Sequence, residues 1–308
     1  MKYKITGHEK FPMRYPWLPK AVMAVQANSR IFSDENEAIV EMGVGKNMVR
    51  SIRFWAVAAG IIKMNGNGGY VITEFGDALF GERGLDPFIE DIQTLWLLHW
   101  KLANANDPPL LAWDYLLNRW HEPEIARSVV LNSLEKEAEN MDIKLSSTTL
   151  RDHLDVFIRT YAPTRGPKGE AKEDNLDSPL VELELIRKTG ERNAGPDSGK
   201  REPIYAFRRE EKHEISSELF VYCLFDFLYR RHQNESTISF REISVGHGSP
   251  GQVFKLPEND LRERLETLED RTDGSLTYME SASIQQIRKN SDAKLIGLLQ
   301  SIYSRRYP

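Results

Sequence analysis

The chain has 308 residues, of which 40% are hydrophobic and 28% are charged, and its formal net charge is -5. This length suffices for two or three domains, and the composition excludes a disordered chain, a collagen-like repeat and a disulfide scaffold. The single cysteine, Cys223, cannot pair within the chain, and no apolar stretch approaches the roughly 18–20 residues of a membrane span. The amino terminus lacks the apolar segment of a signal peptide. We therefore expect a soluble, cytoplasmic protein.

Charge is distributed unevenly along the chain. Residues 1–63 carry ten Lys or Arg and five Asp or Glu, a net of +5, whereas the other residues carry 31 basic and 41 acidic side chains, a net of -10. A basic amino-terminal segment on an acidic body predicts that any polyanion contacts the first sixty residues. Pairing of the basic segment with the acidic body is the alternative, and charge alone does not decide between them.

The first 85 residues are predicted to form one domain, in which a basic arm precedes three helices and a hairpin. Three prolines within residues 7–20 exclude a regular helix in the arm. Ser33 is predicted to cap the second helix, and Gly43 to end it. Helix, tight turn, helix and hairpin follow in the order typical of a winged helix-turn-helix. The predicted elements are helices over 18–29, 33–42 and 46–59, and strands over 61–64 and 70–73.

Residues 86–145 are predicted as a helical middle domain, and residues 146–308 as a carboxy-terminal domain of helices and hairpins. In the last domain a helix from Ser146 precedes an alternating run that predicts a strand, so a second winged-helix-like unit is expected. The predicted fold class is therefore mainly α with small β-hairpins (α+β). The predicted elements are helices over 86–103 and 110–120, a helix beginning at Pro123, helices over 146–162, 214–232, 258–270 and 291–304, and strands over 180–186, 203–207 and 275–279.

The helix over residues 46–59 carries the strongest signal for function. At about 100° per residue, Lys46, Arg50 and Arg53 fall within about 60° of arc, with Asn47 beside them, whereas apolar side chains cluster on the opposite side. A helix that enters a DNA groove needs an apolar back and a cationic front. An ordinary amphipathic helix with a solvated basic face is the alternative. The flanking helix and hairpin favour nucleic-acid binding.

A second basic set lies in the proline-rich arm. Lys10, Arg14 and Lys20 alternate there with aromatic side chains and are predicted to hold the DNA backbone beside the helix. Tyr15 and Trp17 could stack on an unpaired base or could anchor the arm by packing, and packing is the favoured interpretation.

Signals for catalysis are weak. His8 and Glu9, near Arg14, could act as a general base with an orienting carboxylate, although a single histidine in a short arm is more often incidental. Asp34 and Glu35 could bind a divalent ion, although acidic residues at a helix start usually serve as caps. Pro196-Asp197 and Glu210-Glu-Lys212 match a loose nuclease pattern that chance readily produces. Phosphate loops, Cys/His metal sets, Gly-x-Ser-x-Gly and dinucleotide fingerprints are missing from the sequence.

Three blocks, residues 7–21, 40–55 and 86–100, resemble the signature motifs of a bacterial domain family originally of unknown function. Its members are encoded beside PAPS-reductase-like enzymes in DNA phosphorothioation operons. The resemblance covers roughly the first 120 residues with specific motifs. It implies a DNA-binding, strand-nicking role, and the family's motif falls on Lys46, Asn47, Arg50 and Arg53. It identifies no catalytic residue.

The resemblance also implies partners. These are DNA, a cysteine desulfurase, a PAPS-reductase-like ATP pyrophosphatase and an ATPase. No membrane is expected as a partner. A homodimer is a further expectation. Two hypotheses follow. The first is a nicking enzyme that requires Mg²⁺ or another divalent ion. The second is a non-catalytic winged-helix adaptor that recruits the sulfur-transfer enzymes to DNA. The missing catalytic signature favours the second hypothesis, whereas the family resemblance favours the first.

Overall fold

The structure, a computed structural model, describes residues 3–105, 108–142, 145–163, 178–194, 199–281 and 283–304. Helices predominate, and the strands form small antiparallel sheets, which confirms the predicted α+β class. The helices are α1 (Trp17–Ala27), α2 (Glu35–Met42), α3 (Lys46–Ala58), α4 (Glu74–Phe80), α5 (Ile92–Ala103), α6 (Leu111–Asp114), α7 (Arg127–Asn140), α8 (Ser147–Tyr161), α9 (Ser217–Arg231), α10 (Phe240–Val245), α11 (Pro250–Phe254), α12 (Glu258–Glu266), α13 (Leu268–Arg271) and α14 (Leu295–Tyr303).

The strands of the described residues form three separate sheets. A hairpin pairs β1 with β2, a second sheet has the order β3-β5-β4, and a third has the order β6-β8-β7. All neighbouring strands are antiparallel. The strands are β1 (Ile62–Met64), β2 (Tyr70–Ile72), β3 (Ile125–Ala126), β4 (Ile186–Asn193), β5 (Arg201–Phe207), β6 (Thr237–Ser239), β7 (Leu276–Glu280) and β8 (Gln285–Lys289).

The amino-terminal elements α1, α2, α3 and the β1–β2 hairpin follow the predicted order, and α4, which was not predicted, comes after them. Gly43 ends α2 in the left-handed conformation (φ +62°), as its position after the apolar run predicts. The predicted cap at Ser33 is wrong, because Ser33 lies in a 3₁₀ turn. Asp34 caps α2 instead, accepting hydrogen bonds from the backbone amides of Asn36 and Glu37.

Two predicted helix starts in the middle of the chain are wrong. The helix expected from residue 86 begins at Ile92. The buried carboxylate of Asp86 accepts hydrogen bonds from the backbone N–H groups of Glu90 and Asp91 and from the hydroxyl of Thr94, and these bonds hold residues 86–91 in a loop. The helix expected from Pro123 begins at Arg127, because residues 125–126 form β3 and pair with β5. A strand of two residues, between Glu124 and Arg127, is too short for an alternation that the sequence could reveal.

The strand predicted over residues 180–186 is also wrong. Ser178 caps a 3₁₀ turn over Pro179–Leu183, in which Leu180 and Leu183 are buried, and Glu184 then turns the chain in the left-handed conformation. β4 consequently begins at Ile186, the last residue of the predicted strand, and extends to Asn193. Its partner β5 includes the predicted run 203–207.

In the carboxy-terminal part, the single predicted helix 258–270 is divided into α12 and α13 at Thr267. The predicted strand 275–279 corresponds to β7, and the predicted helix near the end corresponds to α14. β6 and β8 were not predicted, because β8 buries only Ile287 among polar residues. β3 lies in the predicted middle domain and β5 in the predicted last one, and the domain boundaries at 85 and 145 stay predictions.

The core is rich in aromatic side chains that connect distant parts of the chain. Trp55 of α3 packs edge-on against Trp113 of α6, and Trp113 packs against Phe157 of α8. All three side chains are fully buried. No helix in the described ranges combines the length and the apolar character that crossing a bilayer requires.

Candidate nucleic-acid interface

Helix α3 has the two faces that its sequence predicts. Ile52 and Trp55 are fully buried, and the indole Nε1 of Trp55 donates a 3.1 Å hydrogen bond to the carbonyl of Phe11 in the arm. On the other side Lys46 is exposed, and Arg50 lies partly in solvent. The helix is therefore held by its apolar back while its cations face outward.

One carboxylate of the preceding helix pairs with two of these cations. The Oε1 atom of Glu35 lies 2.6 Å from Nε of Arg50, and its Oε2 atom lies 2.6 Å from Nζ of Lys46. The hydrogen bond from Arg50, followed by that from Lys46, lowers the pKa of Glu35 below its ordinary value. The charge of Glu9 also acts on Arg50, so two carboxylates partly offset the cations at this end of α3.

These contacts bear on the predicted metal ligands. The carboxylate of Asp34 caps α2, and that of Glu35 binds two cations. Within the described residues, no group of three or more His, Cys, Asp or Glu side chains is placed to hold a metal ion. Asp34 and Glu35 do not fit a resident divalent ion unless it displaces these partners, and magnesium stays a prediction.

A cleft, which we call the cationic cleft, lies where the arm, α3 and the hairpin meet. Its volume is about 320 Å³. The ammonium of Lys4 lies 4.6 Å from the centroid of the Phe54 ring, and burial, followed by the charge of Arg53, lowers its pKa. None of the described lining residues is acidic. They are Lys4, Gly7, Arg50, Arg53, Phe54, Val57, Met64 and Tyr70.

The electrostatics of the cationic cleft favour an anionic ligand. Like charges that are partly removed from water repel one another, and an anion between them relieves that cost. Lys4 and Arg53 meet this condition, since the charge of Arg53 lowers the pKa of Lys4. Lys4 was not predicted, because it lies 49 positions before Arg53 and no local spacing connects them.

The arm forms a strained turn at the predicted catalytic pair. Gly7 (φ +106°), Glu9 (φ +47°) and Lys10 (φ +64°) all have positive φ, which costs side-chain-bearing residues roughly 1–2 kcal/mol each. The turn is held to α3 by a 3.1 Å hydrogen bond from Ser51 Oγ to the carbonyl of His8. A cavity of about 290 Å³ beside it brings together His8, Glu9, Lys10 and Asn47.

The imidazole of His8 is 4% exposed, and its ring stacks on that of His153 with centroids 5.4 Å apart. Its Nδ1 accepts a hydrogen bond from the backbone N–H of Lys10, so its proton lies on Nε2, 3.1 Å from the carbonyl of Ile5. Burial lowers its pKa. Both ring nitrogens therefore have partners within the protein.

The three predicted cations of the arm have different surroundings. Nζ of Lys10 pairs with Asp152 of α8 at 2.9 Å, and the guanidinium of Arg14 lies near the rings of Phe11 and Trp17. Lys20 donates a 2.9 Å hydrogen bond to the carbonyl of Met42, at the end of α2. Lys20 thus caps a helix terminus, whereas Lys10 and Arg14 remain near the surface.

A cation of α8, which was not predicted, joins Lys10 and Arg14. Nη1 of Arg159 donates a 3.0 Å hydrogen bond to the carbonyl of Lys10, and its charge, after burial, lowers the pKa of Arg14. Lys10, Arg14 and Arg159 form what we call the arm patch. The predicted anchors Tyr15 and Trp17 pack as expected: Tyr15 hydrogen-bonds Glu182, and Trp17 is 2% exposed.

The loose nuclease pattern is described by the structure only at Glu210 and Lys212. Pro196 and Asp197 lie outside the described residues. Glu210 pairs with Arg187 at 2.9 Å, and the ammonium of the fully buried Lys212 donates hydrogen bonds to three backbone carbonyls. Lys212 therefore stabilises the loops around it.

Fold and surface together define an α+β protein that carries a cationic cleft on an amino-terminal module of helices and one hairpin. The chain belongs to the family described as "Protein of unknown function (DUF4007)", which matches residues 5–303. This agrees with the resemblance of the sequence motifs to a family of originally unknown function.

Two solved structures share the fold. A magnesium ion-bound crystal structure of SspB has a TM-score of 0.82, and another SspB crystal structure has a TM-score of 0.80. Each is 23% identical to this chain in sequence, and each match covers 98% of this chain and 87% of the other. At this identity the likeness establishes the fold. A search of curated proteins finds no match to the chain.

Proposed function

We propose that this protein is the DNA-binding, strand-nicking component of a bacterial DNA phosphorothioate modification system. DNA binding is supported by the cationic cleft, in which Lys4 of the arm lies near Arg50 and Arg53 of α3. The nicking part rests on the family resemblance and on the shared fold with SspB.

We infer that α1 to α4 and the β1–β2 hairpin act as a winged helix-turn-helix. In this arrangement α3 lies along the major groove, and the hairpin contacts the backbone beside it. Lys46 and Asn47 then face the DNA from the start of α3. The cationic cleft, which the arm, α3 and the hairpin share, holds a backbone phosphate.

The arm patch extends this surface. Lys10, Arg14 and Arg159 neutralise further phosphates, so binding is expected to depend steeply on salt. The expected partners are the cysteine desulfurase, the PAPS-reductase-like ATP pyrophosphatase and the ATPase of the same system in the cytoplasm. Mg²⁺ is the proposed cofactor of nicking, in line with the magnesium-bound SspB structure.

A second candidate function uses the same surface. The residues of α3 that face outward are cations and an amide, groups that bind phosphate without cleaving it. This chemistry favours a non-catalytic adaptor that brings the sulfur-transfer enzymes to DNA. Incubating supercoiled plasmid with the protein, in Mg²⁺ or in EDTA, separates the two candidates, because only a nicking enzyme converts plasmid to open circles.

DNA binding is tested with Arg50→Ala and Arg53→Ala. Each change should weaken duplex affinity roughly 5- to 30-fold and reduce the salt slope by about one, as loss of one phosphate contact predicts. Fluorescence anisotropy over a salt series measures both quantities. Lys136→Ala, an exposed cation of α7, is the matched control. Unchanged affinity and slope in both arginine variants would remove the proposed interface.

A further inference from the structure

An aspartate–histidine pair lies outside the cationic cleft. Nε2 of His247, in the loop between α10 and α11, lies 2.7 Å from Oδ1 of Asp114, at the end of α6. The other carboxylate oxygen accepts a 2.8 Å hydrogen bond from the hydroxyl of Tyr3 and lies 3.0 Å from Nη2 of Arg119. The second ring nitrogen of His247, Nδ1, lies 2.8 Å from Nη2 of Arg231.

These contacts determine the tautomer of His247. A guanidinium only donates hydrogen bonds, so Nδ1 must present a lone pair to Arg231. The ring proton is therefore on Nε2 and is donated to Asp114. Although burial opposes it, the hydrogen bonds from His247 and Tyr3 lower the pKa of Asp114, so the carboxylate is charged. The result is an imidazole that is oriented by a carboxylate through Nε2 and has its Nδ1 lone pair on the outer side.

The outer side of this pair is accessible. The side chain of Asp114 is 9% exposed and that of His247 is 41% exposed, and Arg231 is exposed at the end of α9. An imidazole lone pair is a weak partner for a guanidinium, whereas a phosphate forms a charge-assisted pair with it. The Arg231–His247 contact therefore marks a place where a phosphodiester could bind Arg231 directly beside the basic nitrogen.

The arm connects the pair with the cationic cleft, because its adjacent residues Tyr3 and Lys4 contact one each. Residue 4 pairs with the segment before α6, through a 2.8 Å hydrogen bond from its N–H to the carbonyl of Pro109. Consecutive side chains of an extended segment point to opposite sides. Tyr3 accordingly contacts Asp114, whereas Lys4 lies over Phe54 in the cationic cleft.

We propose that His247 is the general base of phosphodiester hydrolysis, with Asp114 as its positioning residue and Arg231 as the cation that holds the scissile phosphate. This rests on the proposed function and supplies the catalytic group for its nicking step. The geometry is that of a base oriented by a third group, in which the base is accessible from solvent.

The step consumes one water molecule. A water proton moves to Nδ1 of His247 while the water oxygen forms a bond to phosphorus. The bond from phosphorus to one ester oxygen breaks, and the electron pair leaves on that oxygen, which takes a proton from solvent. The imidazolium then returns its proton to solvent. One strand ends in a phosphate monoester and a free hydroxyl, and the other strand stays intact.

The test compares His247→Ala with His213→Ala, a change of an exposed histidine (90%), on supercoiled plasmid with and without MgCl₂. We expect His247→Ala to lower the nicking rate by about 10²–10⁴-fold, the usual contribution of a general base, with duplex affinity within twofold of wild type. Added imidazole should restore part of the rate, because the site is open to solvent. A merely structural histidine would not be rescued.

The other outcomes overturn the proposal in distinguishable ways. Nicking by His247→Ala at the wild-type rate, or a loss that imidazole does not restore, removes His247 as the base. Wild-type protein that binds duplex but leaves plasmid intact removes the hydrolytic role and leaves the DNA-binding part of the proposed function standing. If wild-type protein does not bind duplex at all, the proposed function fails first. Asp114→Asn should also lower the nicking rate. Added imidazole should not restore that rate, because this variant still contains His247.

Discussion

Glu35 of α2 and Arg50 of α3 are joined by a 2.6 Å contact between Oε1 and Nε, on the surface where α3 is proposed to meet DNA. The same carboxylate holds Lys46. A DNA phosphate that binds either cation must compete with Glu35. The carboxylate therefore acts as an internal competitor of the polyanion and also raises the pKa of Arg50.

Replacing this carboxylate should strengthen DNA binding. In Glu35→Gln, Lys46 and Arg50 lose their internal counter-charge, so we expect duplex affinity to rise roughly two- to fivefold, in keeping with the small worth of exposed ion pairs. The salt slope should become steeper. Glu41→Gln, on the same helix and exposed, is the control. Weaker binding by Glu35→Gln in anisotropy measurements would show that Glu35 positions the cations for DNA.

Two glycines should respond in opposite directions to alanine. A Cβ on Gly76 of α4 would lie 2.2 Å from the backbone carbonyl oxygen of Ile61, so Gly76→Ala should destabilise the protein by about 1–3 kcal/mol or more. Gly297 of α14 is exposed and has open space around it, so Gly297→Ala should stabilise by about 0.5–1 kcal/mol. Urea denaturation measures both. A neutral Gly76→Ala would contradict the close packing of α4 on the hairpin.

The buried carboxylate of Asp226 in α9 holds together a charge cluster whose two cations are partly buried. Its carboxylate accepts hydrogen bonds from Nε1 of Trp100 (2.7 Å) and Nε of Arg230 (2.9 Å) and lies 3.3 Å from Nζ of Lys101. Burial alone would lower the pKa of Lys101, but Asp226 raises it above its ordinary value. Asp226→Asn leaves that partly buried ammonium without its carboxylate partner.

We therefore expect Asp226→Asn to lower the free energy of unfolding by about 3–5 kcal/mol, the usual result of breaking a buried pair. The matched control is Asp292→Asn, whose carboxylate is 74% exposed and pairs with Lys289. This control should change stability by less than about 1 kcal/mol. Equal effects of the two substitutions would mean that the Asp226 cluster is hydrated in solution.

Acid should destabilise the protein through two buried histidines. Burial lowers the pKa of His99 and of His153 to about 3, from the ordinary value of 6.5. Between pH 6.5 and 3 the unfolded chain binds protons at these positions that the folded chain does not. Stability is thus complete above pH 6.5 and falls as the pH falls, by about 2 kcal/mol for each histidine at pH 5.

Urea midpoints at pH 7 and pH 5 measure this effect. His153→Phe should reduce the difference between the two midpoints, because the substituted side chain cannot take a proton in the unfolded state. His213→Gln, at an exposed position, should leave the difference unchanged. An unchanged difference in His153→Phe would show that His153 is protonated in the folded protein.

Local patterns predicted the elements that depend on neighbouring residues. α3 follows from a 3.6-residue periodicity that buries Ile52 and Trp55, and the β1–β2 hairpin follows from its Asn/Gly-rich turn. β8 was missed because its single buried side chain, Ile287, gives no alternation. It is a strand because it pairs with β6, about fifty residues earlier, and with β7.

In the candidate site, too, the sequence predicted what lies within one helix and missed what depends on distant contacts. Lys46, Arg50 and Arg53 lie on one helix, so their shared face is visible in the sequence. Lys4 joins them only because the arm folds back beside Phe54, and Glu35 opposes them through contacts between two helices. Such pairings depend on tertiary packing, which spacing along the chain does not encode.

The separation of Asp114 and His247 has a consequence for how the protein is made. The two residues are 133 positions apart, yet their side chains are in direct contact. Residue 247 leaves the ribosome well after residue 114, so the pair can form only late in translation. A product truncated before residue 247 therefore keeps Asp114 with its partners Tyr3 and Arg119 but lacks the histidine of the proposed catalytic pair.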